Sequence, residues 1–382
     1  MELTSPVLAA SYRDTWAEIS QDAIAHNITL FKSHVHERCK VMAVVKADGY
    51  GHGAVETARE AIKGGAGYIG VALLDEALQL REAGIATPIL ILGYTPPRSV
   101  TTAIAHGITL TVYDCEVLNA IIACSNLLGI QAAIHLKVDT GMSRIGVQSI
   151  EEAVQLAELA ARSPQIKLEG LFTHFASADD DNAAYTEQQF QTFLAFADAL
   201  RERGIPVPIR HCCNSAAAMR YPAMHLDMVR IGIALYGLHP ASAMKHDWPL
   251  KQAMSLRSRI SAIRHIAPHQ PVSYGCSFVP ERPSVIATIP IGYADGLSRQ
   301  LSNRGCALLR GERIPIAGRI CMDQTMLDVT DIADARAGDE VTLFGRSGGQ
   351  LLAIDELAHV MNTINYEVVC LIGKRVPRVN RR

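Results

Sequence analysis

Apolar residues along the first 230 positions fall into short runs, separated by longer stretches with a period of three to four. The runs are VMAVVK (41–46), YIGVA (68–72), PILILG (88–93), TLTVY (109–113), AAIHLKV (132–138), KLEGLFTHF (167–175), PIRHCCN (208–214) and HLDMVRI (225–231). Nearly every position in them is apolar, which suits strands buried on both faces of a parallel sheet. The stretches between read as amphipathic helices: AVETAREAIKGG, stopped by its glycine pair, then DEALQLREAG, EVLNAIIACSNLLG, SIEEAVQLAELAAR and TEQQFQTFLAFADALRERG. The link before the eighth strand is short. Eight β-α units over roughly 200–250 residues predict an α/β fold of the (β/α)8 TIM-barrel type. A doubly wound open sheet is the alternative.

From about residue 250 the pattern changes. SLRSRISAIRHI, SVIATIPIGYA, CALLRGERIPIAG, TMLDVTD and DEVTLFG are strand-like, with turns such as RGE and AGD between them. Only IDELAHVMNTINYEV reads as a helix. Two domains follow: a barrel over 14–248 and a mostly β domain over 249–382, which an N-terminal strand within 1–13 can join. DWPLKQ (247–252) marks the join.

Composition narrows the function. The 382 residues are 49% hydrophobic with net charge −2 and carry no basic run, so nucleic acid is not an expected partner. No apolar run approaches the roughly 20 residues that span a bilayer, so no membrane partner is expected. The start, MELTSPVLAASYRDTW, lacks the charged and apolar regions of a secretory leader. Nine scattered cysteines form no CxxC pair, and His211-Cys212-Cys213 lacks zinc-ligand spacing. Reduced thiols, a cytoplasmic location and no metal are the expectation.

In a TIM barrel the C-terminal ends of the strands form the active site. Lys46 ends the first strand and runs into Asp-Gly-Tyr-Gly-His-Gly. Lys137, Asp139 and Arg144 end the fifth, His174 the sixth, Asn214-Ser215 the seventh, and Arg230 with Gly232-Ile233 the eighth. The last two loops commonly hold a phosphate in this fold. There is no Walker sequence or GxGxxG to indicate a nucleotide. A lysine at a barrel mouth beside a phosphate site suggests a Schiff base to pyridoxal phosphate, and burial beside arginines favours the neutral amine that reaction needs.

With these residues on view, AVVKADGYGHG resembles the cofactor-lysine signature of the alanine racemases. LKVDTGMSRIG, FTHFA, NSAAAM, VRIGIALYG, VSYGCSF, IGYADG, GRICMDQ and INYEV resemble further motifs of that family, in order and over nearly the whole chain. The resemblance implies an isomerase that interconverts L- and D-alanine on a pyridoxal 5'-phosphate aldimine by two-base Cα proton transfer. It implies supply of D-alanine for peptidoglycan. Lys46 would hold the cofactor and serve as one catalytic base, and Tyr274, reaching the partner subunit of a homodimer, as the other. Arg230, supported by His174, would face the pyridine nitrogen. Arg144 would contact the cofactor and the substrate carboxylate. Tyr50, Ser215, Gly232, Ile233 and Tyr366 would hold the phosphate, with Met322 and Asp323 at the substrate and Tyr293 and Arg319 at the entrance. Lys137 matches a position carbamylated in some members. A serine or broad-range racemase, and a barrel-fold decarboxylase, are the alternatives. The decarboxylase is expected to present an acid where Arg230 stands.

Overall fold

The computed structural model describes residues 12–245 and 247–382. The expected strand within 1–13 therefore lies almost wholly outside the described residues. Two compact units emerge. One comprises Ala23–Gly49 and Gly53–Lys251. The other gathers the described residues up to Asp22, the tripeptide Tyr50–His52, and Gln252–Arg382. The first strand, β1 (Thr15–Ser20), belongs to the second unit, although the sequence reading began the barrel at residue 14.

The first unit is built on β2 (Lys40–Val44), β3 (Tyr68–Val71), β4 (Ile89–Ile91), β5 (Leu110–Val112), β6 (Ala132–Lys137), β7 (Ile166–Phe172), β8 (Ile209–His211) and β9 (Met228–Ile231). All the pairings are parallel, in the orders β4-β3-β2-β9 and β5-β6-β7-β8. A parallel bridge from Leu90 to Thr109 joins the two sets on one side. Backbone bonds from Arg230 N to Cys213 O (3.0 Å) and Asp227 N to Arg210 O (3.1 Å) join them on the other. An open sheet has no such second seam, so the barrel stands.

The expected helices form at Ala54–Lys63, Leu74–Glu82, Cys115–Leu128, Ile150–Ala161 and Ala184–Glu202. Their ends follow local chemistry: Asp114 and Ser149 accept from Val117 N and Glu152 N, and Gly129 takes the left-handed C-terminal position at φ 65°. The short link before β9 is the six-residue helix Ser215–Arg220. Two helices escaped the sequence reading, Val100–Ala105 and Gln21–His34. The latter precedes β2 but packs on the segment that follows β9. Its buried Asn27 donates to Leu235 O (3.0 Å) and Lys251 O (2.9 Å) and accepts from Lys251 N (2.8 Å), and Phe31 stacks on Trp248.

The second unit holds two sheets. Besides β1, its strands are β10 (Met254–Arg259), β11 (Ala262–Ile266), β12 (Ser284–Ile289), β13 (Cys306–Leu309), β14 (Glu312–Pro315), β15 (Thr325–Asp328), β16 (Glu340–Ser347), β17 (Gln350–Leu352) and β18 (Arg378–Arg381). The larger sheet runs β14-β13-β16-β10-β1-β18, with β17 beside β16, and the smaller runs β11-β12-β15. β1 lies between β10, antiparallel, and β18, parallel. The single helix expected over IDELAHVMNTINYEV is two, Ile354–Met361 and Asn365–Cys370. Asn362 at φ 54° ends the first in the left-handed conformation that asparagine tolerates, and the chain must restart.

Candidate active site

The turn after β2 sets the position of Lys46. The strand ends at Val44, two residues earlier than the sequence suggested. Lys46 then opens a left-handed helical turn: Ala47 (φ 51°), Asp48 (φ 52°), Gly49 (φ 62°) and Tyr50 (φ 51°). Only glycine adopts this conformation freely, and an L-residue held there costs about 1–2 kcal/mol. Hydrogen bonds hold it: Gly49 N to Val45 O and Gly53 N to Asp48 O at 2.8 Å, Ala54 N to Asp48 Oδ1 at 2.9 Å, and Ala47 N to Glu76 Oε1 at 2.6 Å. Such enforced strain concentrates where a side chain must be aimed.

Two glycines of this stretch answer different needs. A Cβ on Gly51 would collide with the carbonyl oxygen of Val369, in the same unit. Gly51 thus lets two backbones touch. Gly53 has open space around it and needs glycine only for its φ of 96°.

Arg230, at the end of β9, is buried and heavily committed. Nη1 donates to His211 Nδ1 (2.9 Å) and His211 O (3.1 Å). Nη2 donates to Thr173 O (2.9 Å), Cys212 O (2.9 Å) and His174 Nδ1 (3.1 Å). These bonds occupy the four terminal N–H groups, so Nε–H is the donor left to face a ligand. Burial lowers its pKa to about 10, so it is still a cation at neutral pH. His174 is held well below its ordinary pKa by burial and by Arg230, and is neutral. Because arginine only donates, the His174 proton sits on Nε2.

Lys137 ends β6, buried, with its ammonium nitrogen 4.8 Å from the centre of the Phe172 ring. Burial first, then Arg230 and Arg144, lower its pKa to about 7. Asp139 does not neutralise these cations by direct pairing. Its Oδ1 accepts from Gly141 N, Met142 N and Ser143 N, and its Oδ2 from Arg144 N, at 2.8–3.2 Å. Burial raises its pKa, but these four bonds outweigh burial and hold it below the ordinary value. The carboxylate fixes the loop that carries Arg144.

At the ends of β8 and β9, Ser215 and Gly232 come together: Ser215 Oγ accepts from Gly232 N at 2.9 Å. Asn214 caps the following short helix by accepting from Ala217 N at 3.0 Å. Ile233 is buried one residue further on. The C-terminal ends of the barrel strands also carry Lys46, Lys137, Arg144 and Arg230, and Asp139 among them is spent on backbone. A donor-rich, cationic mouth with a hydroxyl and backbone N–H beside it fits a phosphorylated anion such as pyridoxal phosphate.

Within the second unit, Tyr50 and Tyr366 are neighbours, their ring centroids 6.3 Å apart. Burial and then Tyr366 raise the Tyr50 pKa, so its phenol keeps its proton and can donate. Elsewhere in that unit, Ser273, Tyr274, Cys321, Met322, Asp323 and Gln324 line a cavity of about 460 Å³. Tyr274 is 68% exposed and Met322 54%. Ser273 Oγ donates to Arg319 O (2.6 Å), and the Arg319 guanidinium packs on Gly275. Tyr293 N and Ala294 N donate to Cys321 O and Met322 O, both at 3.0 Å. Asp323 accepts from Arg375 Nη2 at 2.6 Å. Tyr274, Tyr293, Arg319, Met322 and Asp323 are thus gathered by direct contacts.

The sequence reading missed the second row behind Arg230: His211, His135 and Glu169. A signal was present. Each is an ionisable residue within a strand run of the barrel, where such groups are rarely buried without a partner.

Two family models match the chain: alanine racemase, N-terminal domain, over residues 19–240, and alanine racemase, C-terminal domain, over 253–380. Alanine racemase 1 of Oceanobacillus iheyensis is 52% identical over 96% of this chain and 98% of its own length. That of Desulfovibrio desulfuricans is 49% identical over 96% and 98%. The crystal structure of the Bacillus anthracis alanine racemase with bound L-Ala-P superposes with a TM-score of 0.92 at 38% identity, covering 97% of this chain and 96% of that one. The Clostridium difficile alanine racemase in complex with cycloserine gives 0.89 at 40% identity, covering 97% and 96%. The chain belongs to the alanine racemase family.

Proposed function

We propose that the protein interconverts L-alanine and D-alanine with pyridoxal 5'-phosphate. The observation that carries this reading is Arg230: a buried cation, its four terminal N–H groups fixed, with Nε–H left to meet a ring nitrogen. When bound, pyridoxal phosphate supplies an electron sink that makes the Cα–H of an attached amino acid acidic. Lys46 would hold it through its amine, and its Nζ would take or return the Cα proton on one face. Tyr274 holds a proton at its phenolic oxygen on the opposite face of Cα. Two bases on opposite faces invert the centre in either direction. Arg230 cannot yield its proton to the ring nitrogen, which limits the sink and so limits reactions other than racemisation. An acid at this position would favour the decarboxylase reading, and the residue is arginine.

Ser215, Gly232, Ile233, Tyr50 and Tyr366 bind the phosphate in this proposal, the protonated Tyr50 as a donor. Arg144, held in its loop by Asp139, takes the substrate carboxylate. The exposure of Tyr274 and Met322 supports a homodimer in which both, with Asp323, serve the partner's site, and in which Tyr293 and Arg319 line its entrance. The product would feed peptidoglycan synthesis in the cytoplasm. Serine differs from alanine by one hydroxyl, and such a difference is worth only about 1–3 kcal/mol.

The test is proton NMR of L-alanine with the cofactor-loaded protein in D₂O, beside a chiral assay. Loss of the Cα–H signal with appearance of D-alanine is expected. An unchanged Cα–H signal and no D-alanine overturn the assignment, and serine turned over faster than alanine would move the substrate.

A further inference from the structure

Arg230 is one end of a polar chain through the barrel core. Its Nη1 lies 2.9 Å from His211 Nδ1, and His211 Nε2 lies 2.9 Å from His135 Nδ1. His135 Nε2 faces Glu169 Oε2 at 3.5 Å. Both histidines are fully buried, and burial first, then for His211 the Arg230 charge, holds both below their ordinary pKa. The far end is anchored: Tyr68 OH donates to Glu169 Oε2 (2.8 Å) and Lys167 Nζ to Oε1 (2.8 Å). All of these residues lie in the barrel unit.

The chain has one proton order. Arginine only donates, so His211 Nδ1 accepts and its proton is on Nε2. His135 Nδ1 then accepts, and its proton is also on Nε2. That N–H needs an acceptor, and at 3.5 Å the contact is longer than the usual hydrogen bond of about 2.7–3.2 Å. No closer partner of Nε2 exists among the described residues. The charge on Glu169, an acceptor at both oxygens when ionised, faces it. His135 first, and then Lys167 and Tyr68, which donate to that carboxylate, hold its pKa well below the ordinary value against the burial that raises it. A donor-only residue at one end and an acceptor-only residue at the other agree on the same order. Reversing either histidine would set two N–H groups against each other.

We propose that Glu169 is a positioning residue for Arg230, acting through His135 and His211 by fixing both imidazoles as Nε2–H tautomers. The lone pair of His211 Nδ1 is thereby always turned to Nη1, and the guanidinium keeps one orientation toward its ligand. Lys167 and Tyr68 hold the carboxylate in place. The role of Arg230 itself rests on the proposed function; the tautomers do not.

Two measurements separate these. The first is the imidazole ¹⁵N NMR spectrum of the apoprotein labelled in histidine. Wild type is expected to show His135 and His211 each protonated on Nε2 alone, and a proton on Nδ1 of either overturns the chain whether or not any variant folds. The second compares Glu169→Gln with Glu169→Leu. Glutamine keeps an acceptor oxygen, so its spectrum should match wild type and its kcat should lie within threefold. Leucine keeps none, so its histidine signals should broaden or split between tautomers. Its kcat for the loaded enzyme should fall at least tenfold with KM changed less than twofold. Unchanged tautomers in Glu169→Leu, unchanged kcat there, or a glutamine variant as poor as leucine each overturn the proposal. A wild type that orders its tautomers but racemises nothing overturns the function and leaves the chain standing.

Discussion

Arg230 Nη2 lies 3.1 Å from His174 Nδ1, and the imidazole is the neutral partner of the two. A cation faces a lone pair, so the bond is charge-assisted without a second charge being buried. Replacing Arg230 by lysine retains the charge and loses the fork. A single ammonium cannot satisfy Thr173 O, Cys212 O, His211 O and two imidazole nitrogens at once. The expected outcome for Arg230→Lys is an apoprotein destabilised by about 2–4 kcal/mol in chemical denaturation, from buried acceptors left unpaired. Racemisation should fall more than 100-fold in kcat. A lysine variant of wild-type stability and rate would remove the fork from the site.

Lys137 gives a pH dependence of definite sign. Its pKa is lowered to about 7 in the fold, chiefly by burial, from 10.5 unfolded. Below pH 7 the folded protein must carry the buried ammonium, and the whole penalty is present. Between pH 7 and 10.5 the unfolded chain holds a proton that the folded one does not, so stability contributed by this residue rises with pH. Lys137→Met should therefore stabilise the apoprotein most at pH 6, and flatten the slope of unfolding free energy between pH 7 and 9, by an amount on the order of a few kcal/mol. Urea denaturation across that range reads it directly.

The same neutral amine is a nucleophile toward dissolved CO₂. Nitrogen adds to carbon, one proton leaves, and the carbamate formed is an anion beside Arg230 and Arg144, the two cations that lower the amine's pKa most after burial. With ¹³C-labelled bicarbonate the protein should show a carbamate resonance that is absent from Lys137→Met. Its absence from wild type at pH 8 would leave Lys137 a neutral amine.

The barrel was legible because its strands are apolar on both faces, and the strand-end residues because the fold fixes which end is functional. Lys46, Arg144, His174, Ser215 and Arg230 follow from those two facts. β1 pairs with β10 at Thr15 with Ser258, and with β18 at Ala17 with Arg378. No local signal carries pairings of such range. β18 (RVNR) is polar, as an edge strand can be. The left-handed turn at Ala47, Asp48 and Tyr50 runs against the preference of those residues, so local sequence argues for something else. The imidazoles of His135 and His211 take their meaning from each other across two strands, which periodicity cannot show.

Two glycines in GYGHG separate conformational need from packing need. Gly51→Ala meets the Val369 carbonyl as well as an unfavourable φ of 80°. Gly53→Ala meets nothing within 4 Å and has only its φ of 96° to answer for. Gly53→Ala should cost about 1–2 kcal/mol. Gly51→Ala should cost more, about 3 kcal/mol or above, and weaken cofactor affinity as Tyr50 shifts. Equal losses in thermal unfolding would show that Val369 yields without cost.

The proposed homodimer makes the sharpest prediction, since it would draw Lys46 and Tyr274 of one site from different subunits. Tyr274 is exposed and lines a cavity with Met322 and Asp323, whereas Lys46 leads from a barrel strand. In the proposed homodimer a site takes its lysine from one subunit and its tyrosine from the other. Lys46→Ala and Tyr274→Phe should each be nearly inactive as purified, the latter with cofactor still bound and kcat reduced about 10²–10⁴-fold in both directions. Mixed, dissociated and reassociated in equal amounts, half the dimers are heterodimers. In each heterodimer one site carries both substitutions and the other carries neither. Activity should recover to about a quarter of wild type. If lysine and tyrosine came from the same subunit, every site in every dimer would hold one lesion, and mixing would restore nothing. The ratio of recovered activity to wild type therefore reports which subunit supplies Tyr274.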